Sequence, residues 1–248
     1  MKLISQLQVK IFADGADKKG ILEMYNKPFV KGFTTNPTLM RKANITDYEE
    51  FAIDILRVIK DQPISFEVFS DHFNEMYEQA RFIASWGKNV YVKIPVSNTK
   101  GEPAYALIQR LAKADVKQNV TALMTLDQVK AVTRALVEGP VACISVFAGR
   151  IADTGRDPLP VMRAALNIMS AYPQLELIWA SPRELLNIFQ ADDIGCHIIT
   201  ATNDIINKLS LVGKDLNEFS LETVKMFYQD ALAAGFTLNV DSVFAEAL

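Results

Sequence analysis

The strongest constraint on the fold is a regular alternation of eight short apolar runs with longer stretches in which apolar residues recur at helical spacing. The runs are rich in Val, Ile, Leu and Phe, as expected for strands buried on both faces. They cover residues 9–13, 30–34, 64–68, 90–95, 116–121, 141–147, 175–180 and 196–200. The intervening stretches predict helices over residues 47–60, 74–85, 102–114, 126–137, 160–171 and 203–211. Three further helices are predicted, one that ends near residue 26, one that begins at residue 37 and one that ends near residue 190. After the sixth run we predict a turn at residues 149–150 and a polar loop to residue 157.

Eight strand and helix pairs in 248 residues match the count and length of a closed (β/α)8 barrel, the α/β fold called the TIM barrel. An open, doubly wound parallel sheet is the alternative, and it is disfavoured because no Gly-rich dinucleotide-binding turn follows the first strand. We predict one domain over residues 1–248, in which residues 221–248 form an additional C-terminal helix and tail. The tail includes Phe227, Phe236 and Phe244, which would need cover from the barrel exterior or from a second copy of the chain. We therefore expect a homo-oligomer.

Composition excludes several classes of partner. The formal net charge is −3, with acidic and basic residues interspersed, so neither a nucleic-acid-binding stripe nor a basic membrane-binding patch is predicted. Cys143 and Cys196 lie in apolar runs without metal-ligand spacing, which is typical of reduced cysteines in a protein core. No apolar run approaches membrane-spanning length. These features predict a soluble, cytoplasmic protein without a metal site.

A single lysine, Lys93, stands in the middle of the apolar run at residues 90–95. Burial of an unpartnered ammonium group is costly, and loss of its proton leaves a neutral amine that can attack a carbonyl carbon. This is the chemistry of a Schiff-base lysine. Alternatively, Lys93 places its head group in solvent or beside a carboxylate, which is the usual arrangement for a lysine in a strand.

Polar residues occur at or just after the ends of most of the predicted strands. Each has an ordinary explanation when taken alone, such as a helix cap, a turn former or a salt-bridge partner. In a (β/α)8 barrel, however, the carboxyl ends of all strands meet at one mouth, where active sites are found. The residues so placed are Asp14, Asn36, Glu67, Lys93, Asn119, Thr121, Ser145, Arg150, Ser181 and Arg183.

Five motifs in the same order and with similar spacing resemble those of transaldolases and the wider group that includes fructose-6-phosphate aldolase. The resemblance runs from about residue 9 to residue 210. It implies an enzyme that uses a lysine to move a dihydroxyacetone unit between sugar phosphates, without a metal or an organic cofactor. The motifs are Thr34-Thr35-Asn36-Pro37-Thr38, Val92-Lys93-Ile94-Pro95, Asn119-Val120-Thr121, Ser145-Val146-Phe147-Ala148-Gly149-Arg150-Ile151 and Ala180-Ser181-Pro182-Arg183.

The resemblance also implies a role for each site residue. Lys93 would form the Schiff base, Asp14 would be the acid/base carboxylate, and Asn36 would hold hydroxyl groups of the donor. Glu67 and Thr121 would position a water molecule beside the lysine, where they could shuttle a proton during dehydration of the carbinolamine. The remaining matched residues would contact the dihydroxyacetone unit, in the case of Asn119 and Ser145, or the substrate phosphate, in the case of Arg150, Ser181 and Arg183.

Three functions remain open at this point. Glu67 and Phe147 are of transaldolase type, because the cleaving aldolase has glutamine and tyrosine at these positions. Transfer is therefore favoured over release of free dihydroxyacetone. A catalytically silent barrel that binds a sugar phosphate is the third hypothesis. In the phosphate motif, Pro182 replaces the aromatic residue usual in transaldolases, and Arg156 has no counterpart and is interpreted as a surface charge.

Overall fold

Residues 2–238 are described by a computed structural model, in which eight parallel strands form a closed barrel. The strands pair in chain order, and the last strand closes on the first, with Lys10 opposite Ile198. The predicted (β/α)8 barrel is confirmed. The strands are β1 Lys10–Asp14, β2 Val30–Thr34, β3 Ile64–Glu67, β4 Val90–Pro95, β5 Gln118–Leu123, β6 Ala142–Val146, β7 Leu175–Trp179 and β8 Ile198–Thr202.

Helices follow every strand, and their bounds agree with the spacing of apolar residues to within a few positions. Short 3-10 turns occur at Ile4–Gln6 and Lys208–Leu211. The helices of the barrel are α1 Lys18–Tyr25, α2 Pro37–Lys42, α3 Tyr48–Leu56, α4 Phe73–Ala84, α5 Tyr105–Lys113, α6 Leu126–Leu136, α7 Ala148–Ala152, α8 Leu159–Met169, α9 Leu186–Asp193 and α10 Asn203–Asn207.

The predicted turn at residues 149–150 is wrong, because these residues belong to the short helix α7. Gly149 suggested a turn, but its role is close packing. A Cβ atom at this position would lie 1.5 Å from the carbonyl oxygen of Ser181. Only glycine therefore allows α7 to approach the segment after β7 so closely. Ser181 itself has a positive φ of 60°.

The start of β5 and that of β8 were each predicted two residues too early. The shift brings Thr200 inside β8 and places Thr202 at its end. In β5 the pairing register with β6 is irregular between Val120 and Leu123, and Ala122 within this interval has a positive φ of 67°. This bulge follows directly on Thr121, one of the predicted site residues.

Apolar side chains fill both sides of the sheet. One buried cluster joins Phe12, Cys143, Ile178 and Ile198 from four different strands. Cys196 is also buried, in agreement with the prediction of core cysteines. None of the helices within residues 2–238 combines the length and apolar character that a membrane span requires.

The internal contacts of the chain separate the barrel, residues 2–209, from a C-terminal unit that begins at residue 210. This unit contains α11, Leu216–Ala233, which begins five residues earlier than predicted. Asp215 starts the helix by accepting hydrogen bonds from the backbone N–H groups of the first turn. Phe227 and Phe236 are exposed. Phe244, which we also expected to need cover, lies outside the described residues.

Candidate active site

One cavity of about 640 Å³ opens among the carboxyl ends of the strands. The ten polar residues selected from the sequence and Phe147 all line it, so the structure brings together side chains that are up to 169 positions apart, from Asp14 to Arg183. Additional lining residues with polar side chains are Thr34, Thr38, Lys42, Thr200 and Thr202.

Lys93 lies in β4 with only 7% of its surface exposed. Its Nζ atom is 3.1 Å from Oε2 of Glu67 and donates a hydrogen bond of 2.7 Å to the carbonyl oxygen of Thr35. Glu67 reaches the lysine because the two residues are paired in the register of β3 and β4. Lys93 is therefore buried, as the first interpretation requires, and its amine is paired with a carboxylate, as the second one expects.

The backbone of Glu67 is held by a residue that sequence reasoning missed. The hydroxyl of Tyr48, at the start of α3, donates to the carbonyl oxygen of Glu67 at 2.8 Å and accepts from its N–H at 2.7 Å. These two bonds fix the backbone at the end of β3, from which the carboxylate projects. Burial raises the pKa of Tyr48, so its hydroxyl stays protonated and able to donate.

Asp14 ends β1 and faces two donors. Thr34 donates its hydroxyl to Oδ1 at 2.7 Å, and Asn36 donates through Nδ2 to Oδ2 at 3.3 Å. The orientation of Asn36 is set by its second role, since its Oδ1 accepts the backbone N–H of Leu39 and caps α2. Burial raises the pKa of Asp14, and the charge of Lys93 and the two hydrogen bonds partly offset this effect.

A series of buried hydrogen bonds joins side chains of three strands, β6, β5 and β3. Ser145 donates its hydroxyl to Oδ1 of Asn119 at 2.7 Å, and Asn119 donates through Nδ2 to Oγ of Ser65 at 3.0 Å. Both groups of the amide are thus satisfied inside the barrel. This arrangement holds the polar edge of β5 and β6 in one orientation beside the cavity.

The arginines lie at the rim of the cavity. Arg150 belongs to α7, with its guanidinium carbon 5.7 Å from the ring centroid of Phe147. Arg183 is half exposed and forms a bidentate ion pair with Asp153, in which its Nε atom lies 2.9 Å from Oδ1. Arg183 correspondingly lowers the pKa of Asp153. Asp153 was missed because it fell in the predicted polar loop, whereas it directly follows α7, and its i,i+3 spacing from Arg150 places both on one side of the helix.

Within residues 2–238, no group of three or more histidine, cysteine or acidic side chains is arranged to hold a metal ion. The cavity is instead lined by the buried amine of Lys93, the exposed amine of Lys42, two carboxylates, two amides, several hydroxyls and two guanidinium groups. These groups can transfer protons and bind a hydroxylated, anionic ligand.

Solved structures with a similar fold include a putative phosphonomutase from Burkholderia cenocepacia J2315, with a TM-score of 0.57 and 12% identity over 90% of this chain and 94% of that one. Another is KGPDC from Streptococcus mutans, with a TM-score of 0.56 and 12% identity over 81% of this chain and 90% of that one. At such low identity these similarities establish the barrel fold alone.

Sequence comparison is more specific. A protein named probable transaldolase from Streptococcus agalactiae serotype V is 33% identical over 216 residues, which cover 87% of this chain and 95% of the relative. A probable transaldolase from Thermoanaerobacter sp. is 31% identical over 224 residues, or 90% of this chain and 98% of the relative. The family model described as transaldolase/fructose-6-phosphate aldolase matches residues 11–248. The chain therefore belongs to the transaldolase/fructose-6-phosphate aldolase family.

Proposed function

We propose that this protein is a transaldolase that moves a dihydroxyacetone unit from a ketose phosphate to an aldose phosphate through a Schiff base on Lys93. The observation that carries the proposal is the buried pair of Lys93 and Glu67, 3.1 Å apart, in the cavity that also contains Asp14 and two arginines. Family membership and the relatives named probable transaldolase support it.

The pairing of Lys93 with Glu67 provides a route for the first proton transfers. Glu67 accepts a proton from the ammonium group, and the free amine attacks the C2 carbonyl of the ketose. A C–N bond forms as the C=O π bond opens, and the carbonyl oxygen becomes a hydroxyl by taking a proton from the nitrogen. The resulting carbinolamine must lose its hydroxyl as water. Glu67 returns the proton to this hydroxyl through a water molecule held by Glu67 and Thr121, which both line the cavity. The product is an iminium ion on Lys93.

Asp14 is placed for the carbon–carbon bond cleavage that follows. As a carboxylate it takes the proton of the C4 hydroxyl, the C3–C4 bond breaks, and C4 leaves as an aldehyde. The bonding electrons form an enamine on Lys93. In transfer, this enamine attacks the aldehyde carbon of the acceptor, and Asp14 returns its proton to the new alkoxide. Water then hydrolyses the iminium ion by the reverse of the first steps, which releases the new ketose and restores Lys93. The raised pKa of Asp14 suits a group that must both accept and donate a proton.

The phosphate would bind at the rim, where Arg150, Ser181 and Arg183 line the same cavity. Guanidinium groups bind phosphate oxygens through two parallel hydrogen bonds, which gives geometric as well as electrostatic selectivity. Because Asp153 already occupies two donors of Arg183, the phosphate must share this arginine or displace the carboxylate.

Transfer is favoured over release by the side chain of Phe147, which lines the cavity without a hydroxyl group. A phenol at this position could deliver a proton to the enamine and so hasten the release of dihydroxyacetone. In the wild type we expect efficient transfer from fructose 6-phosphate to erythrose 4-phosphate and slow release. The Phe147→Tyr variant should shift the ratio toward release by several fold.

The test compares transfer and dihydroxyacetone release in the wild type and in Phe147→Tyr. If the wild type releases dihydroxyacetone as fast as it transfers it, the protein is a fructose-6-phosphate aldolase in activity. Borohydride reduction with fructose 6-phosphate, followed by peptide mapping, tests the lysine itself. An adduct on a lysine other than Lys93 would contradict the mechanism, and no adduct at all would favour the silent barrel.

We further propose that the protein is a homo-oligomer, because Phe227 and Phe236 are exposed apolar side chains of the C-terminal unit. Light scattering across micromolar concentrations is the measurement. A mass of one chain throughout that range would contradict the proposal.

A further inference from the structure

Behind Asp14, the structure shows a pair of threonine hydroxyls to which the sequence assigned no role. The Oγ1 atoms of Thr34 and Thr200 are 2.5 Å apart, and Thr34 also donates to Oδ1 of Asp14 at 2.7 Å. The three residues come together because β1 lies between β2 and β8, with Asp14 opposite Thr34 in one register. Both threonines are buried at the inner edge of the cavity.

The number of protons fixes the direction of this chain. The hydroxyl of Thr34 has one proton, and an ionised Asp14 can only accept, so that proton points to Asp14. Thr200 must then be the donor in the contact between the two hydroxyls. When Asp14 becomes protonated it can donate instead, and both bonds can reverse.

We propose that Thr200 is a positioning residue that acts through Thr34 to orient Asp14 and to stabilise its ionised form. The inference rests on the proposed function, in which Asp14 removes the proton of the donor's C4 hydroxyl.

The other groups around Asp14 do not by themselves dominate the stability of its ionised form, so a contribution from Thr200 can be measured. The charged neighbours that act on it are Lys93 from β4 and Glu67 from β3, and their effects oppose each other. Since Lys93 is paired with Glu67, much of the lysine's charge is offset before it reaches Asp14. The bond from Asn36 is long, at 3.3 Å, compared with 2.7 Å for the bond from Thr34. The hydrogen bond from Thr34 is therefore the shorter of the two side-chain contacts to the carboxylate. Because the site is buried, solvent screens the electrostatic effect of this bond only weakly.

The Thr200→Val variant keeps the shape of the side chain and removes its hydroxyl. With the donor to Thr34 lost, the ionised form of Asp14 is less stable, so the acid limb of the kcat/KM profile should move to higher pH. We expect a shift of about half a pH unit and a roughly fivefold decrease in kcat. Thr200→Ser restores the hydroxyl and should return both values toward those of the wild type.

The matched control is Thr133→Val, which makes the same change at a buried threonine of α6 whose hydroxyl has no hydrogen-bond partner among the described residues. It should leave the pH profile unchanged. Thermal unfolding of each variant checks the fold, and Thr200→Ala repeats the test if the valine variant does not fold.

An unchanged pH profile in Thr200→Val, together with loss of turnover in Asp14→Asn, would overturn the inference and leave the proposed function intact. If Asp14→Asn and Lys93→Ala also retain turnover, the proposed function fails as well. A shift in Thr200→Val that serine does not reverse would assign the effect to packing and would likewise overturn the inference.

Discussion

The floor and the rim of the cavity are built in opposite ways. At the floor, Lys93 is buried and both it and Asp14 are bonded to neighbouring side chains or backbone groups in positions set by strand register. At the rim, Arg150 and Arg183 are exposed and come from a short helix and from the segment after β7. A buried, bonded group reacts in one fixed geometry, whereas an exposed arginine can exchange partners at little cost. We therefore expect floor variants to change kcat and rim variants to change KM.

The largest effect expected from this comparison is at Lys93. In the proposed mechanism the imine forms on Lys93, so Lys93→Ala should abolish turnover and borohydride trapping; Lys42 also lines the cavity, but it is exposed and lies outside the buried floor. Lys10→Ala is a matched control, since Lys10 is also a strand lysine paired with a glutamate, Glu176, but does not line the cavity. It should keep wild-type turnover. Steady-state assays and mass spectrometry of the reduced adduct are the measurements. Residual trapping in Lys93→Ala would show that the imine forms on another lysine and would contradict the role given to the floor.

At the rim, Arg150→Ala should raise the KM for fructose 6-phosphate by about 10- to 100-fold, as expected for loss of a charge-assisted hydrogen bond to a dianion. The kcat and the KM for unphosphorylated fructose should change little. Arg156→Ala is the control, because Arg156 lies in the following loop, bonds to Thr154 and does not line the cavity. If Arg150→Ala lost activity equally with fructose 6-phosphate and with fructose, Arg150 would contribute to the chemistry at the floor. The distinction between floor and rim would then be wrong.

The smallest effect concerns Asp153. If phosphate binds at Arg183 as proposed, Asp153→Asn removes a competing carboxylate, so the KM for fructose 6-phosphate should fall by roughly two- to fivefold, within the range of an exposed ion pair. The kcat should stay the same. Asp127→Asn makes the same charge change on α6, where Asp127 pairs with Lys130. A higher KM in Asp153→Asn alone would mean that the carboxylate orients Arg183 for phosphate and does not compete with it.

Local patterns in the sequence predicted most of the barrel. The bounds of β4 agree with the apolar run at residues 90–95, and the number of strands follows from the alternation. The order of the strands in a closed barrel also required the chain length and the lack of a Gly-rich turn after the first strand. Helix α7 was missed because Gly149 resembles a turn former, and only the approach of Ser181 explains it. Asp153 was missed for the same reason, because the position of a residue in a predicted polar loop beside Arg183 cannot be derived from the sequence.

The sequence by itself determined the eight strand and helix units and the polar residues at the strand ends, because side-chain periodicity and strand length are local properties. The tertiary structure alone decided which of these residues touch. Lys93 meets Glu67 through the register of β3 and β4, Arg183 meets Asp153 across 30 residues, and Thr200 meets Thr34 across 166. Such pairs depend on barrel closure and strand register, which are set by the packing of the whole chain and not by any one segment.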